Sequence, residues 1–175
     1  DGQWGVVDVD DCCNGARHLA AAGKVDGARM AITGGSAGGY TTLSCLAFRD
    51  VFAAGASDFG VSDCELLARE THKFESRYTD GLVAPYPEGE QIYRDRSPIH
   101  HVERISCPVL ILHGDEDPVI PVSHGRALGE AFASRGEYLE LPGWGHQESL
   151  PVVDPVAQQA YLELLASVSS AHQDQ

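Results

Sequence analysis

Ser36, Asp117 and His146 are the residue types that acyl transfer by an activated serine requires, in one of the chain orders such triads adopt. A serine hydroxyl is a weak nucleophile at its own pKa, so a base must take its proton as it attacks. An imidazole can do this near neutral pH and hand the proton on to the leaving group. A carboxylate then orients the ring and stabilises the imidazolium. Ser36 stands in Gly34-Gly35-Ser36-Ala37-Gly38, the G-x-S-x-G pattern of a sharp strand-to-helix turn. That pattern predicts a strained Ser36 backbone, and glycine at 34 and 38 because side chains there would collide as strand and helix approach. Ala37 N–H, at the helix start, is the candidate oxyanion donor. The competing reading of the same residues is a glycine-rich turn that only begins a helix.

The acid and the base are read from two further loops. His113-Gly114-Asp115-Glu116-Asp117-Pro118-Val119 follows the most apolar run of the chain, and Leu141-Pro142-Gly143-Trp144-Gly145-His146 follows an alternating one. Asp117 is chosen as the acid, with Asp115 as a rival two residues nearer the strand and Glu116 expected to point elsewhere. The blander alternatives are a solvated acidic turn before Pro118 and a loop histidine packed beside Trp144. Among the other histidines, His113 is read as structural and His100-His101 as a surface pair. His18, His72, His124 and His172 show no partner pattern. No spacing suggests a metal site, and no cofactor is expected.

These residues need a scaffold. Residues 28–33 form a short apolar run read as a buried strand, and 40–48 carry apolar residues at helical spacing. Before them, Val6 to Ala22 reads as a helix with Asp8, Asp10 and Asp11 near its positive end and Gly23 as its stop. After them come a small buried strand over 52–59 and an irregular stretch from Gly60 to Pro98, expected to form short helices near the site. Residues 108–113 are apolar on both faces, as in a parallel strand. Ser123 to Arg135 reads as a helix stopped by Gly136, and 137–141 alternates as a strand near an edge. Asp154 caps a last helix running through Leu165, and Ser169 to Gln175 is expected to fray. Strands alternating with helices imply a mostly parallel α/β sheet, whose chemistry gathers beyond the carboxyl ends of its strands.

Composition narrows the function further. The chain has 175 residues, about one domain's worth, and a net charge of −14, which argues against nucleic acid or an anionic membrane as partner. No apolar run reaches membrane-spanning length, and no signal-peptide pattern opens the chain. The five cysteines show no C-x-x-C spacing, and a bond between the adjacent Cys12 and Cys13 would be strained, so free thiols in a reducing, cytoplasmic setting are expected.

Trp4-Gly5 with Asp8 and Asp11, Gly34 through Tyr40, Arg96-Ser97-Pro98-Ile99, His113 through Pro121 and Gly145-His146 together resemble the catalytic domain of the prolyl oligopeptidase family of serine peptidases. The resemblance is greatest to its acylaminoacyl-peptidase and dipeptidyl-peptidase-like branches. It implies an α/β-hydrolase-like fold in which residues 1–175 are one catalytic domain, in its C-terminal part. It also implies Ser36 as nucleophile, Asp117 as acid and His146 as base, and favours Asp117 over Asp115. Members of the family carry a β-propeller, further strands and a loop giving the second oxyanion donor, none of which this chain supplies; a partner chain, an oligomer or further sequence is expected to complete the site. The activity implied is hydrolysis of short peptides through an acyl-enzyme intermediate. The alternatives are a carboxylesterase on the same fold, since one triad serves both acyl types, and an inactive fragment.

Overall fold

A computed structural model describes residues 1–70, 77–146 and 153–170. Four strands, β1 (Ala31–Gly35), β2 (Ala54–Asp58), β3 (Val109–Gly114) and β4 (Glu137–Leu141), pair in parallel in the order of the sequence. Parallel neighbours need crossovers, and these are α2 (Ala37–Phe48) between β1 and β2 and α6 (Ser123–Phe132) between β3 and β4. Between β2 and β3 run the short helices α3 (Cys64–Glu70), α4 (Tyr78–Leu82) and α5 (Glu90–Arg96), then a 3-10 stretch over Pro98–Arg104. This is the expected irregular excursion; residues 71–76 within it lie outside the described residues. Helix α1 (Val7–Ala21) precedes β1, and α7 (Pro155–Ser170) follows β4.

The alternation of β3 builds two layers. Val109 and Ile111 pack with Leu43, Leu46, Leu128 and Phe132 from α2 and α6. Leu110 and Leu112 face the other way, against Ala157 and Ala160 of α7. Every residue of β3 is buried, as its uninterrupted apolar run requires. Among the described residues β4 is an edge, as its alternation predicts, and β1 is the other.

Several boundaries differ from the sequence reading. β1 begins three residues later than the apolar run, because Ser36 N–H must reach the Asp58 carbonyl (2.9 Å) at the sheet end and the strand therefore includes Gly34 and Gly35. α6 gives way to a 3-10 turn at Ala133–Arg135. Asp154 does cap α7, its Oδ1 accepting from Val156 N (2.8 Å) and Ala157 N (2.9 Å), but that helix continues to Ser170. The tail beyond 170 lies outside the described residues.

Candidate active site

The turn after β1 holds Ser36 at φ 56° and ψ −119°, a left-handed conformation that a residue with a side chain adopts only where its surroundings impose it. Two hydrogen bonds do so: Ser36 N–H donates to Asp58 O, and Ser36 O accepts from Tyr40 N–H (3.1 Å). The expected collision at the two motif glycines is half right. A Cβ on Gly34 would overlap the Gly38 carbonyl group, whereas a Cβ on Gly38 would meet nothing within 4 Å. The helix-side position without room is Gly39, where a Cβ would lie 2.7 Å from Gly60 Cα and 2.8 Å from Ser57 Oγ. Gly38 contributes its backbone to the crossing, and Gly39 gives it clearance. Ala37 is exposed at the first turn of α2, where backbone N–H groups have no intrahelical partner.

Two loops beyond β3 and β4 bring Asp117 and His146 together. They pass so closely that a Cβ on Gly114 would lie 2.6 Å from the Trp144 carbonyl carbon. Asp117 is buried, and each of its oxygens is engaged. Oδ1 accepts from Val119 N (2.8 Å) and Ile120 N (2.9 Å), and Oδ2 lies 2.7 Å from His146 Nδ1. Because a carboxylate only accepts, the ring's Nδ1 carries the proton and Nε2 is left as the basic nitrogen. The rival Asp115 instead accepts Gly143 N–H (2.7 Å), holding the turn before Trp144, and Glu116 is exposed. Among the described residues no hydrogen bond joins Ser36 to His146. They are related through Phe59, whose ring lies 4.6 Å from the imidazole and would meet a Cβ on Gly35 at 2.9 Å.

Ser36 and Ala37 open onto a cavity of about 630 Å³. Its walls include Trp4, Val61, Leu67, Tyr78, Leu82 and the Pro118–Pro121 segment, with Glu70 also lining it. Trp4 is held there by Tyr40, 4.1 Å away ring to ring, and by Arg96, whose Nη1 donates to the carbonyls of Gly2 and Trp4 (3.0 Å each). The Tyr40 hydroxyl in turn donates to Arg96 O (3.0 Å). At the opposite end of α1's first turn, Asp8 accepts from Gly5 N and from the Thr41 hydroxyl, both at 2.6 Å, tying the N-terminal segment to α2.

Sequence reasoning missed three contributors. Phe59, at φ 40°, sits between the Ser36 turn and the His146 ring; an isolated aromatic after a small strand gives no signal. Asp58 is buried, and its carboxyl is pushed up from 3.8 to about 6 by desolvation, against the hydrogen bonds that Tyr161 Oη donates to it (2.8 and 2.9 Å). Arg96 appeared only as part of a motif. Of the remaining histidines, His113, read as structural, is fully buried, and so is His124, which had no pattern. His100, part of the expected surface pair, is half-buried, and desolvation lowers its pKa. His72 and His172 lie outside the described residues. Among the described residues no cluster suits a metal ion, the five cysteines are free, and no helix is long and apolar enough to cross a membrane.

Residues 1–148 match the prolyl oligopeptidase family. The acylamino-acid-releasing enzyme of Arabidopsis thaliana is 29% identical over 167 residues, covering 87% of this chain and 22% of that enzyme. A solved puromycin hydrolase superposes with a TM-score of 0.87 at 41% identity, covering 95% of this chain and 26% of that one. A puromycin-hydrolysing peptidase of Mycobacterium tuberculosis gives a TM-score of 0.84 at 43% identity, covering 93% and 25%. The chain thus spans about a quarter of the length of these relatives.

Proposed function

The chain belongs to the prolyl oligopeptidase family, and from that premise we propose that it carries the catalytic part of a serine peptidase acting on short peptides, residues 1–175 forming one piece of an α/β-hydrolase domain. The observation that carries the reading is the 2.7 Å contact between Asp117 Oδ2 and His146 Nδ1. It directs the ring's other nitrogen to act as base, on a loop next to a strained serine.

Ser36 Oγ attacks the scissile carbonyl carbon while His146 Nε2 takes its proton. The carbonyl oxygen, now an oxyanion, is met by Ala37 N–H. The tetrahedral intermediate collapses with cleavage of the C–N bond, and the imidazolium gives its proton to the leaving amine. Asp117, held by two backbone amides, keeps the ring oriented while it is charged. A water then repeats the attack on the Ser36 ester, with the same base, and releases the acid product. The apolar walls from Trp4, Val61, Leu82 and Val119 suit an apolar side chain beside the scissile bond. Free thiols fit a reducing, cytoplasmic setting. The second oxyanion donor is expected from a partner chain or further sequence.

A fluorophosphonate probe tests the nucleophile, and a panel of aminoacyl-nitroanilides and short-acyl esters tests the bond. Labelling at Ser36, its loss in Ser36→Ala, and nitroanilide cleavage are the expected results. No labelling sinks the active reading, and ester turnover without amide cleavage replaces the peptidase with an esterase.

A further inference from the structure

Two buried imidazoles lie behind the Asp117 loop, and their unpartnered atoms are chemically complementary. His113 on β3 and His124 on α6 are both 0% exposed. His113 Nε2 lies 2.9 Å from the Ile120 carbonyl, which can only accept, so Nε2 carries the ring proton and Nδ1 is a bare lone pair. That Nδ1 is buried without a partner. His124 has the same tautomer, but its orphan is the other nitrogen. Nδ1 receives Ser62 N–H at 3.2 Å, and because an amide can only donate, Nδ1 is the bare nitrogen, the Ser62 hydroxyl 3.1 Å away also donates to it, and the proton sits on Nε2, which is buried without a partner. Desolvation lowers the pKa of both rings, that of His124 to about 4, so each carries a single proton at neutral pH. One ring therefore has a spare acceptor and the other a spare donor. Each orphan alone is costly, and a pair of this kind resolves both.

The backbone beside His124 runs against the His113 ring. A Cβ on Gly125, the residue after His124, would lie 2.7 Å from His113 Nδ1, and His113 is near enough to oppose charge on His124. We propose that a buried water accepts from His124 Nε2–H and donates to His113 Nδ1, completing a chain from Ser62 N–H to the Ile120 carbonyl that positions the Asp117 carboxylate. The ends of this chain have mechanical meaning. Ile120 N–H donates to Asp117 Oδ1 while Ile120 O accepts from His113 Nε2–H, and that Nε2 is also 3.6 Å from Asp117 Oδ2. Ser62 follows Val61, which lines the same cavity as Ile120. The chain would tie those two lining residues together. His113 and His124 are positioning residues; neither touches the reacting atoms.

The role assigned to Asp117 rests on the peptidase reading, so the experiment reads the link and the activity separately. Histidine-labelled protein, in the intact chain, is observed by nitrogen–proton correlation NMR beside nitroanilide kinetics, comparing His124→Leu, His124→Gln and His113→Leu with the parent. Expected are Nε2–H tautomers for both buried rings, a His124 Nε2–H resonance that shifts in His113→Leu, and a His146 Nδ1–H resonance that broadens in His124→Leu. With these, kcat falls about tenfold in His124→Leu with KM nearly unchanged, and His124→Gln, whose amide can replace the Nε2–H donor, recovers most of it. An Nδ1–H tautomer at either ring, or a His124 resonance indifferent to His113→Leu, overturns the link. An unchanged His146 resonance in folded His124→Leu overturns the positioning role. If the parent is inert towards fluorophosphonate, the peptidase reading fails, and the NMR results still decide the link.

Discussion

At the scale of single residues, the decisive contrast is between Asp115 and Asp117, two carboxylates on one turn with different duties. Asp117 has Oδ1 committed to two backbone amides and Oδ2 to His146. Asp117→Asn presents an amide to Nδ1, favours the wrong ring tautomer, and is expected to lower kcat by about 10⁴-fold. Asp115→Asn keeps an oxygen for Gly143 N–H and is expected to change kcat by no more than about threefold. Nitroanilide kinetics on the two variants check this, and a larger loss at 115 than at 117 would reverse the assignment. The elbow supplies a second contrast. Gly38→Ala meets open space and should be tolerated, whereas Gly39→Ala drives a methyl into Gly60 and Ser57 and should cost about 1–3 kcal/mol in urea denaturation. Equal stability of the two variants would refute that reading. These cases mark what was legible in the sequence. Ser36, Asp117 and His146, the proposed nucleophile, acid and base, stood out because a motif and three strand ends mark them locally. The pattern at 34–38 showed that small residues are needed, but not which side of the backbone faces the crossing strand. Phe59, His113 and His124 gain their meaning only from elements distant in sequence.

At the scale of elements, the question is what seats α7 on the sheet. Apolar packing of Ala157 and Ala160 against β2 and β3 is supplemented by one polar anchor, in which Thr33 Oγ1 bonds Tyr161 Oη (2.8 Å) and Tyr161 Oη–H donates to Asp58. Burial holds the Asp58 carboxyl at about 6, above its ordinary 3.8. Between those values the folded chain keeps a proton that the unfolded chain releases. The contribution of Asp58 to stability therefore falls as pH rises from about 4 to 6, and at pH 7 its buried charge costs about 2–3 kcal/mol. His124, held down to about 4, acts with the opposite sign, because the unfolded chain takes up its proton first as pH falls from about 6.5. A raw stability profile mixes the two, so the test is the difference between the parent and Asp58→Asn, which retains an acceptor for Tyr161. Urea denaturation should find the variant more stable by about 2 kcal/mol at pH 7.5, with the gap closing near pH 4; a gap independent of pH would refute the assignment. The strands themselves were legible to different degrees. β3 declared itself by an unbroken apolar run and β4 by alternation. β1 was displaced by three residues because its last residues are glycines, chosen for the turn and not for a strand.

For the whole molecule, the two edges of the sheet are unequal. β4 is short and alternating, and its Glu140 is engaged by Arg126 (2.7 and 2.8 Å). β1 pairs only with β2 among the described residues, and beside it Leu19 (46% exposed) and Val25 (42%) border an open cleft that Met30 and Phe52 also line. An unpaired strand next to exposed apolar side chains is a template for association. Against it stands a net charge of −14, which repels like molecules at long range but is screened by salt. These two terms have opposite salt dependence, and that makes the expectation specific. The 175-residue chain should be monomeric at low ionic strength and should associate as salt rises past the range where the Debye length is about 10 Å. Ala31→Lys with Leu19→Glu, which place charges on the β1 edge and its cleft, should suppress that association and leave fluorophosphonate labelling of Ser36 unchanged. Sedimentation velocity across a salt series is the measurement. A chain that stays monomeric at high salt, or a double variant that associates as readily as the parent, would show that the β1 edge is not a surface of association.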